Sequence, residues 1–391
     1  MKTARNSQAI CTLCLSVLMA NCTVNAQTPI APAEKPPAAR RAFTPPVVSP
    51  DILPDRKVTF RIRASQAKEV SVSGEWAGGN APMSKDQEGV WTATVGPIDA
   101  GLYGYAFNVD GLRIADPGNA LVKPMRSPTT SILDIPGDPP LLHDFQAVAH
   151  GTVRVHAYDS KALSVRRSLH VYTPPDYDKK TDARYPVLYL FHGSGDNDGT
   201  WSILGRAQWI EDNLIAQGKA KPMIIVMPDG HATPSRAMGA VGADLISRNV
   251  RDFERDLLED VIPLVEANYR TKPGPANRAI AGLSMGGGQS LTIGLNHLDQ
   301  FGWVGGFSSY LPNPEKTVGG VFADPKSTNQ KLKLLWIACG KDDRLVEGAR
   351  QLSELLKKSE IKHEFFETEG NHSWPVWRRY LADFAPRLFS E

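Results

Sequence analysis

A pentapeptide of the form Gly-x-Ser-x-Gly, residues 282–286, constrains the fold of this chain more than any other feature. It follows an apolar run at 278–281 and precedes small residues at 287–291 that can begin a helix. A nucleophile elbow requires this strand–turn–helix context, because its tight turn presents the serine, here Ser284, at the end of a sheet. The N–H of Met285 can then point at a developing oxyanion. The pentapeptide alone is equally compatible with an ordinary glycine-rich turn, so residues downstream must decide.

A serine hydroxyl needs a general base and an orienting carboxylate to become a nucleophile. In folds that carry a nucleophile elbow, both residues follow the serine along the chain. A strand pattern at 334–339 ends in a turn that contains Asp342 and Asp343. A second strand pattern at 363–368 runs into His372, the last histidine of the chain. We therefore predict His372 as the base and one of the two aspartates as its partner. Asp is also common in turns, so spacing leaves the choice between the two open.

An oxyanion hole needs a second N–H, which comes from the loop after an early central strand. The apolar run 186–191 predicts that strand, and a loop beginning at His192 follows it. We expect the backbone N–H of Ser194 to act together with that of Met285. His192 itself is interpreted as a structural residue behind the hole rather than as a second base.

Two tryptophans are candidate substrate-binding residues. Trp201 lies near the oxyanion loop, and Trp374 lies two residues after His372. Trp374 can equally be a packing residue at the start of a helix. No Cys/His cluster with metal-ligand spacing and no phosphate-binding glycine loop occurs, so neither a metal nor a cofactor is predicted.

The stretch from about 153 to 389 resembles carbohydrate esterase family 1, which contains feruloyl and acetylxylan esterases. The motifs on which this resemblance rests are Tyr-Leu-Phe-His-Gly at 189–193, Met-Pro-Asp-Gly at 227–230, Gly-Leu-Ser-Met-Gly-Gly at 282–287, Cys-Gly-Lys-Asp-Asp at 339–343 and His-Ser-Trp-Pro-Val-Trp-Arg at 372–378. The resemblance implies an α/β-hydrolase fold with Ser284 as nucleophile, His372 as base and Asp343, three residues after Gly340, as acid. The loop at 192–199 departs from the pattern, since its length and residues vary among relatives.

The apolar period agrees with that fold. From about residue 153, strand patterns alternate with helical runs at 203–217, 253–268 and 345–359, which is typical of a doubly wound α/β sheet. A last helix is predicted at about 376–385, ended by the proline that follows. We assign residues 150–391 to this α/β-hydrolase domain.

Short strands with period-two alternation precede it and predict a small all-β sandwich at 53–140. They lie at 58–63, 69–74, 90–95 and 103–109, and residues 109–112 are a plausible hairpin turn. The region resembles the early-set, immunoglobulin-like domain related to family 48 carbohydrate-binding modules. Four aromatic residues can stack on sugar rings: Trp76, Trp91, Tyr103 and Tyr105. For Trp91, Tyr103 and Tyr105, packing in the core or between domains is the favoured interpretation.

The first residues predict export. Residues 1–26 have a basic start, an apolar segment at 9–20 and a small-residue cleavage site, as in a signal peptide. A lipoprotein anchored through Cys22 is a weaker alternative. Residues 27–52 are rich in Pro and Ala and predict a disordered tether. Removal of the signal peptide would leave Cys339 as the remaining cysteine, without an intramolecular disulfide.

Taken together, these features predict a secreted or periplasmic serine esterase. The family resemblance implies that it hydrolyses feruloyl or acetyl esters of xylan through an acyl-enzyme, with an esterified polysaccharide or oligosaccharide as its partner. A net charge of +2 gives no indication of a nucleic-acid or membrane partner. An enterochelin-type siderophore esterase, an acyltransferase to a sugar and a glycan-binding protein with an inert second domain remain alternatives.

Overall fold

The computed structural model describes residues 45–232 and 243–390. The predicted signal peptide and the predicted tether up to residue 44 lie outside these residues. Within them, two antiparallel sheets precede a mixed sheet flanked by helices, as the change of apolar period near residue 150 predicts. The predicted fold class, an α/β-hydrolase sheet preceded by an all-β sandwich, is therefore confirmed.

Alternating apolar and polar residues build the sandwich, because every second side chain of a strand turns towards the core. Its strands are β1 (Asp51–Ile52), β2 (Val58–Arg63), β3 (Val70–Gly74), β4 (Asn80–Pro82), β5 (Ser84–Lys85), β6 (Val90–Val95), β7 (Gly101–Val109), β8 (Leu112–Ile114) and β9 (Ser131–Ile135). One sheet has the order β1-β2-β6-β5, and the other has the order β4-β3-β7-β8 with β9 also paired to β7. Between β7 and β8, Asp110 and Gly111 both have positive φ, which confirms the predicted hairpin turn.

The aromatic residues of the sandwich fill its core. Trp76, Trp91, Tyr103 and Tyr105 are all buried. The Trp76 ring stacks on Phe60 with ring centroids 5.4 Å apart, and Tyr105 lies 4.8 Å from the same ring. Their burial contradicts the hypothesis that these four rings stack on sugars and supports the packing interpretation.

The sandwich begins a few residues earlier than the boundary at 53. Strand β1 pairs with β2, and the hydroxyl of Ser49 donates a 2.6 Å hydrogen bond to the buried Asp116. Residues 49–52 are thus ordered parts of the sandwich rather than tether. Composition suggests a tether there because Pro and Ala dominate the segment, whereas the pairing partners lie far along the chain.

In its described residues, the α/β domain contains eight strands: β10 (Thr152–Ser160), β11 (Val165–Thr173), β12 (Val187–Phe191), β13 (Ile224–Pro228), β14 (Arg278–Leu283), β15 (Trp303–Phe307), β16 (Leu334–Gly340) and β17 (Glu364–Thr368). Their order is β10-β11-β13-β12-β14-β15-β16-β17. The first two are antiparallel to their neighbours, and those from β13 to β17 are parallel. Strands β12 to β15 are buried along their whole length, as expected for a parallel sheet covered on both faces. The carboxyl ends of the parallel strands share one edge, where their loops meet.

Helices cover both faces of this sheet. They are α1 (Thr200–Ile203), α2 (Ala207–Ala216), α3 (Ala243–Asp256), α4 (Ile262–Asn268), α5 (Met285–Asn296), α6 (Pro314–Thr317), α7 (Gly319–Ala323), α8 (Pro325–Lys331), α9 (Val346–Lys358) and α10 (Trp374–Phe384). A π-helical segment, Leu257–Val261, joins α3 to α4. The helix predicted at 203–217 is interrupted before α2, because Arg206 adopts a left-handed backbone conformation. Helix α10 begins two residues before the predicted 376, with Pro375 in its first turn.

The sandwich and the α/β domain both lie within the compact unit Pro46–Glu391 and pack directly on each other. Leu102 of β7 and Ile132 of β9 belong to the same apolar cluster as Trp377 and Tyr380 of α10. No helix in residues 45–232 or 243–390 combines the length and apolar character needed to cross a bilayer.

Candidate active site

Ser284 lies on a strained turn between β14 and α5. Its φ of 51° and ψ of −113° are sparsely populated for a residue with a side chain, and such strain concentrates at functional sites. Glycine is required on both sides: a Cβ on Gly286 would lie 2.4 Å from the His192 carbonyl oxygen, and one on Gly282 would lie 2.6 Å from the Gly286 carbonyl carbon. The Ser284 N–H donates to the Phe307 carbonyl at 2.8 Å, which ties the turn to β15. These features are those of the predicted nucleophile elbow.

A continuous hydrogen-bonded array joins Ser284, His372 and Asp343. The Nε2 of His372 lies 2.9 Å from Ser284 Oγ, and its Nδ1 lies 2.7 Å from Asp343 Oδ2. A carboxylate can only accept, so the proton is on Nδ1 and Nε2 is free to accept from the serine hydroxyl. This is the tautomer that a general base requires.

The neighbouring aspartates, which the residue pattern alone could not separate, differ in position. Asp343 is 2% exposed, and its Oδ1 accepts the Leu345 N–H at 2.9 Å. Burial acts to raise the pKa of its carboxyl, but hydrogen bonds from His372 and Leu345 outweigh burial and lower the pKa below its usual value. The side chain of Asp342 is exposed at the surface. Asp343 is therefore the carboxylate that contacts His372.

Two backbone N–H groups are available beside Ser284. In the described parts of the chain, the N–H of Ser194 and that of Met285 have no hydrogen-bond acceptor. The loop of Ser194 runs close to the nucleophile, because a Cβ on Gly193 would lie 3.5 Å from Ser284 Cβ. Unpaired N–H groups in this position can stabilise an oxyanion.

The predicted oxyanion loop, residues 192–199, is fixed by contacts with the segment that follows β8. Lys123 forms a 2.7 Å ion pair with the buried Asp196, and the Arg126 N–H donates to the Gly195 carbonyl at 3.0 Å. These contacts restrain the two residues that follow Ser194. Sequence reasoning did not identify them, since no local signal links residue 123 to residue 196.

His192 is fully enclosed behind this loop. Its Nδ1 donates to the Gly193 carbonyl at 2.8 Å, and its Nε2 lies 2.9 Å from the Gly230 backbone nitrogen and 3.1 Å from Asp229 Oδ1. The ring links the oxyanion loop to the Asp229 loop, which agrees with its interpretation as a structural residue. His231 also supports the loop, since its Nε2 accepts the Gly195 N–H at 3.2 Å. Burial lowers the pKa of His231 to about 3, so this ring is neutral at ordinary pH.

The two predicted substrate-binding tryptophans do not line a pocket. Trp201 and Trp374 are each 1% exposed, and their rings pack edge to face with centroids 5.0 Å apart. The Trp201 indole N–H donates to the Phe191 carbonyl at 2.9 Å. Both rings belong to the apolar core beneath the site, so the prediction that they wall the substrate pocket is wrong. The alternative for Trp374, packing at a helix start, is the arrangement observed.

Two residues at the site escaped sequence reasoning. The Trp377 ring packs edge to face on His372, with centroids 4.9 Å apart and an interplanar angle of 88°. Glu75, from the sandwich, accepts the Trp374 N–H two residues after His372. The motif at 372–378 contains Trp377, so a local signal existed for it, whereas nothing local indicates Glu75.

Cys339 is the penultimate residue of β16, and its thiol lies near the Asp343 carboxylate. It is fully buried, and burial raises the pKa of its thiol to about 12. In the described residues, His, Cys, Asp and Glu side chains form no group of three or more that could hold a metal ion.

Comparison with known families matches both parts of the chain. Residues 160–388 match the family model described as "Putative esterase". Residues 47–125 match the model "Carbohydrate-binding module 48 (Isoamylase N-terminal domain)".

Two curated relatives extend this comparison. The chain is 36% identical over 343 residues to an endo-1,4-beta-xylanase/feruloyl esterase of Xylanibacter ruminicola. The aligned region covers 84% of this chain and 44% of that relative. It is 29% identical over 264 residues to an esterase of Mycobacterium tuberculosis, and this alignment covers 56% of this chain and 55% of that relative. The chain thus spans about half the length of these two proteins.

Solved structures give the same fold. A ferulic acid esterase from Anaeromyces mucronatus, 28% identical, superposes with a TM-score of 0.54 over 63% of this chain and 93% of that one. An enterobactin esterase from Shigella flexneri superposes with a TM-score of 0.60 over 84% of this chain and 92% of that one, but at 18% identity. At this identity, the similarity to the enterobactin esterase shows a shared fold and no more.

Proposed function

The chain belongs to the putative-esterase family, and from that premise we propose that it is a serine carboxylic ester hydrolase acting on feruloyl or acetyl esters of xylan. The observation that supports this most directly is the hydrogen-bonded array of Ser284, His372 and Asp343. Nucleophile, base and orienting acid lie in contact in the order that ester hydrolysis by an acyl-enzyme needs.

In the proposed first step, His372 Nε2 takes the hydroxyl proton of Ser284 as Oγ attacks the ester carbonyl. The carbonyl oxygen becomes an oxyanion, which the N–H groups of Met285 and Ser194 hold. Asp343 keeps the proton on Nδ1 and stabilises the imidazolium that forms. His372 then gives its proton to the departing alkoxide, and the alcohol leaves an acyl group on Ser284.

In the second step, water takes the place of the alcohol. His372 accepts a proton from that water, which attacks the acyl carbon and forms a second oxyanion in the same hole. Collapse releases the carboxylic acid and returns the proton to Ser284 Oγ. These two steps use the residues named here and one water molecule.

The proposed substrate class rests on the comparisons rather than on pocket shape. The relative with 36% identity is named a xylanase and feruloyl esterase, and the 28% identical structure is named a ferulic acid esterase. The match of residues 47–125 to a carbohydrate-binding module supports a polysaccharide substrate. Export to the cell exterior or periplasm is proposed on the sequence of residues 1–26 alone.

The nucleophile is tested by replacing Ser284 with Ala. We expect Ser284→Ala to retain the wild-type melting temperature and to lose several orders of magnitude of kcat on a p-nitrophenyl ester, because triad members act as a unit. Ser194→Ala is the matched control, since the proposal uses only the backbone N–H of that exposed serine. Near-wild-type hydrolysis by folded Ser284→Ala would overturn the proposed function.

The substrate is tested by comparing kcat/KM on methyl ferulate, acetylated xylan and a catecholate siderophore ester. A preference for either of the first two supports the proposal, and a preference for the third supports the siderophore alternative. Release of free acid, rather than formation of a transesterified sugar, distinguishes hydrolysis from acyl transfer.

A further inference from the structure

We propose that Glu75, a residue of the sandwich, is a positioning residue for His372 and thereby makes the sandwich part of the catalytic machinery. The inference rests on the proposed esterase function. One carboxylate oxygen, Oε2, accepts the Gly104 N–H of its own domain at 2.6 Å. The other, Oε1, crosses to the α/β domain and accepts the Trp374 N–H at 3.2 Å.

The Glu75 carboxylate, which accepts the Trp374 N–H, acts as a helix cap supplied by another domain. The first N–H groups of a helix have no partner within it, and a negative charge there is favourable. Ser373, at the N-cap of α10, makes no capping hydrogen bond with its side chain. Glu75 therefore supplies both an acceptor and a charge that the local sequence does not provide.

The start of α10 determines where His372 lies. Trp374 follows His372 by two residues, and Trp377, one turn further on, packs its ring against the His372 imidazole. A shift of this first turn would move the imidazole relative to both Asp343 and Ser284. Those two contacts are 2.7 and 2.9 Å long, so a displacement well below 1 Å would weaken them.

A second contact one turn along α10 repeats the connection. Arg378 is 3% exposed and donates to the Leu102 carbonyl of the sandwich, and to the Leu204 carbonyl at 3.0 Å. Burial lowers the pKa of Arg378 to about 10, and the negative charge of Glu75 favours its charged form. The sandwich thus contacts α10 at two places, through the Glu75 hydrogen bond to Trp374 and through the Leu102 carbonyl that accepts from Arg378.

Apolar packing alone does not hold this turn. A cavity of about 890 Å³ adjoins it, and Glu75, Ser373 and Arg378 are among the lining residues. A turn that borders an open space can move when its directional contacts are removed. Trp374, Val376 and Trp377 pack one side of this turn into the core, so the polar contacts restrain mainly the side that faces the cavity.

The experiment compares Glu75→Ala with Glu88→Ala, which removes an exposed carboxylate of the same sandwich. The substrate is p-nitrophenyl acetate, which is too small to engage a glycan-binding surface. Since misplacement of a catalytic group by ~1 Å can cost about 100-fold, we expect the smaller displacement in Glu75→Ala to lower kcat about tenfold. KM should stay within about twofold of wild type, and Glu88→Ala should match wild type in both constants.

A double-mutant cycle with His372→Ala separates positioning from general damage. If Glu75 acts through His372, Glu75→Ala should cause no further loss of rate once His372 is absent. A tenfold loss that persists in the His372→Ala background would overturn the inference, and so would wild-type kcat in Glu75→Ala. If Glu75→Ala does not fold, Glu75→Gln replaces it, because Gln keeps the shape of the side chain and one of its two acceptor oxygens. Glu75→Gln should lose less kcat than Glu75→Ala, and that loss should likewise disappear when His372 is absent. Absence of ester hydrolysis by the wild-type protein would instead overturn the proposed function, on which this inference depends.

Discussion

Replacement of Asp343 by Asn tests the array in the way the structure defines most sharply. The Leu345 N–H donates to Oδ1 of Asp343, so in Asp343→Asn the amide oxygen must take the Oδ1 position. The amide NH2 then occupies the Oδ2 position, 2.7 Å from His372 Nδ1. Because that NH2 can only donate, His372 must carry its proton on Nε2 instead of Nδ1. A protonated Nε2 donates to Ser284 Oγ and cannot accept its proton.

The expected loss follows from this change of tautomer. Asn in place of a triad aspartate, with geometry retained, lowers kcat about 10⁴-fold in a serine protease, which corresponds to about 5.5 kcal/mol of transition-state stabilisation. We expect a loss of similar size for Asp343→Asn. Substrate binding does not involve the change, so KM should alter far less than kcat.

The matched control is Asp342→Asn, one residue earlier in the same turn, where the side chain is exposed. Steady-state hydrolysis of methyl ferulate or a p-nitrophenyl ester gives kcat and KM for both variants, and melting temperatures check that both are folded. We expect Asp342→Asn to remain within about threefold of wild type, as surface substitutions away from such contacts have small effects. A folded Asp343→Asn enzyme that retained more than a tenth of wild-type kcat would refute the tautomer argument. The reverse ranking of the two variants would transfer the role to Asp342.

Two further predictions concern stability and domain structure. Burial lowers the pKa of His231 to about 3 and that of His143 to about 4, below the ordinary value of 6.5. Below about pH 6.5 the unfolded chain therefore binds protons on these histidines that the folded chain does not, so the folded state loses stability as the pH falls towards 4. Urea unfolding between pH 7.5 and 4.5 should show the free energy of unfolding falling by up to about 1.4 kcal/mol per pH unit for each histidine. In His231→Gln, the free energy of unfolding should fall less steeply with pH. A slope equal to that of the wild type would contradict this prediction. A chain shortened to begin at Gly151 should aggregate or lose activity on all esters, because it lacks Leu102 and Ile132, which complete the apolar cluster on α10. An unchanged melting temperature, with kcat/KM retained on small and polymeric esters alike, would show that the sandwich has no supporting role.

Local sequence signals were sufficient to predict Ser284, His372 and a pair of aspartates as the proposed catalytic residues. Ser284, Asp343 and His372 each follow a strand, and the carboxyl ends of parallel strands meet at one sheet edge whatever the loops between them contain. The glycines around Ser284 could be interpreted for a similar reason, since the tight turn excludes a Cβ at 282 and 286. The choice of Asp343 over Asp342 came from a family resemblance, because adjacent turn residues point in different directions that spacing does not reveal.

Side-chain burial was much less predictable. Trp201 and Trp374 lie next to catalytic loops in the sequence, yet their rings point into the core, because the orientation of a ring depends on which helices pack over it. For the same reason, the sequence favoured burial of the sandwich aromatics without deciding it, and only the structure shows that all four are buried. The start of the sandwich was placed a few residues late, since strand β1 is defined by its pairing with β2 rather than by its own composition.

The sequence by itself determined the fold class, the order of the catalytic loops and the residues available for chemistry, because each depends on short-range periodicity and turn chemistry. Tertiary structure alone decided which groups hold those residues in place. Glu75 and Trp374 are 299 positions apart in the chain, and Lys123 reaches Asp196 from the other side of a domain boundary. A hydrogen bond between such distant residues leaves no periodic signal, since it exists only once two separately folded surfaces have come together.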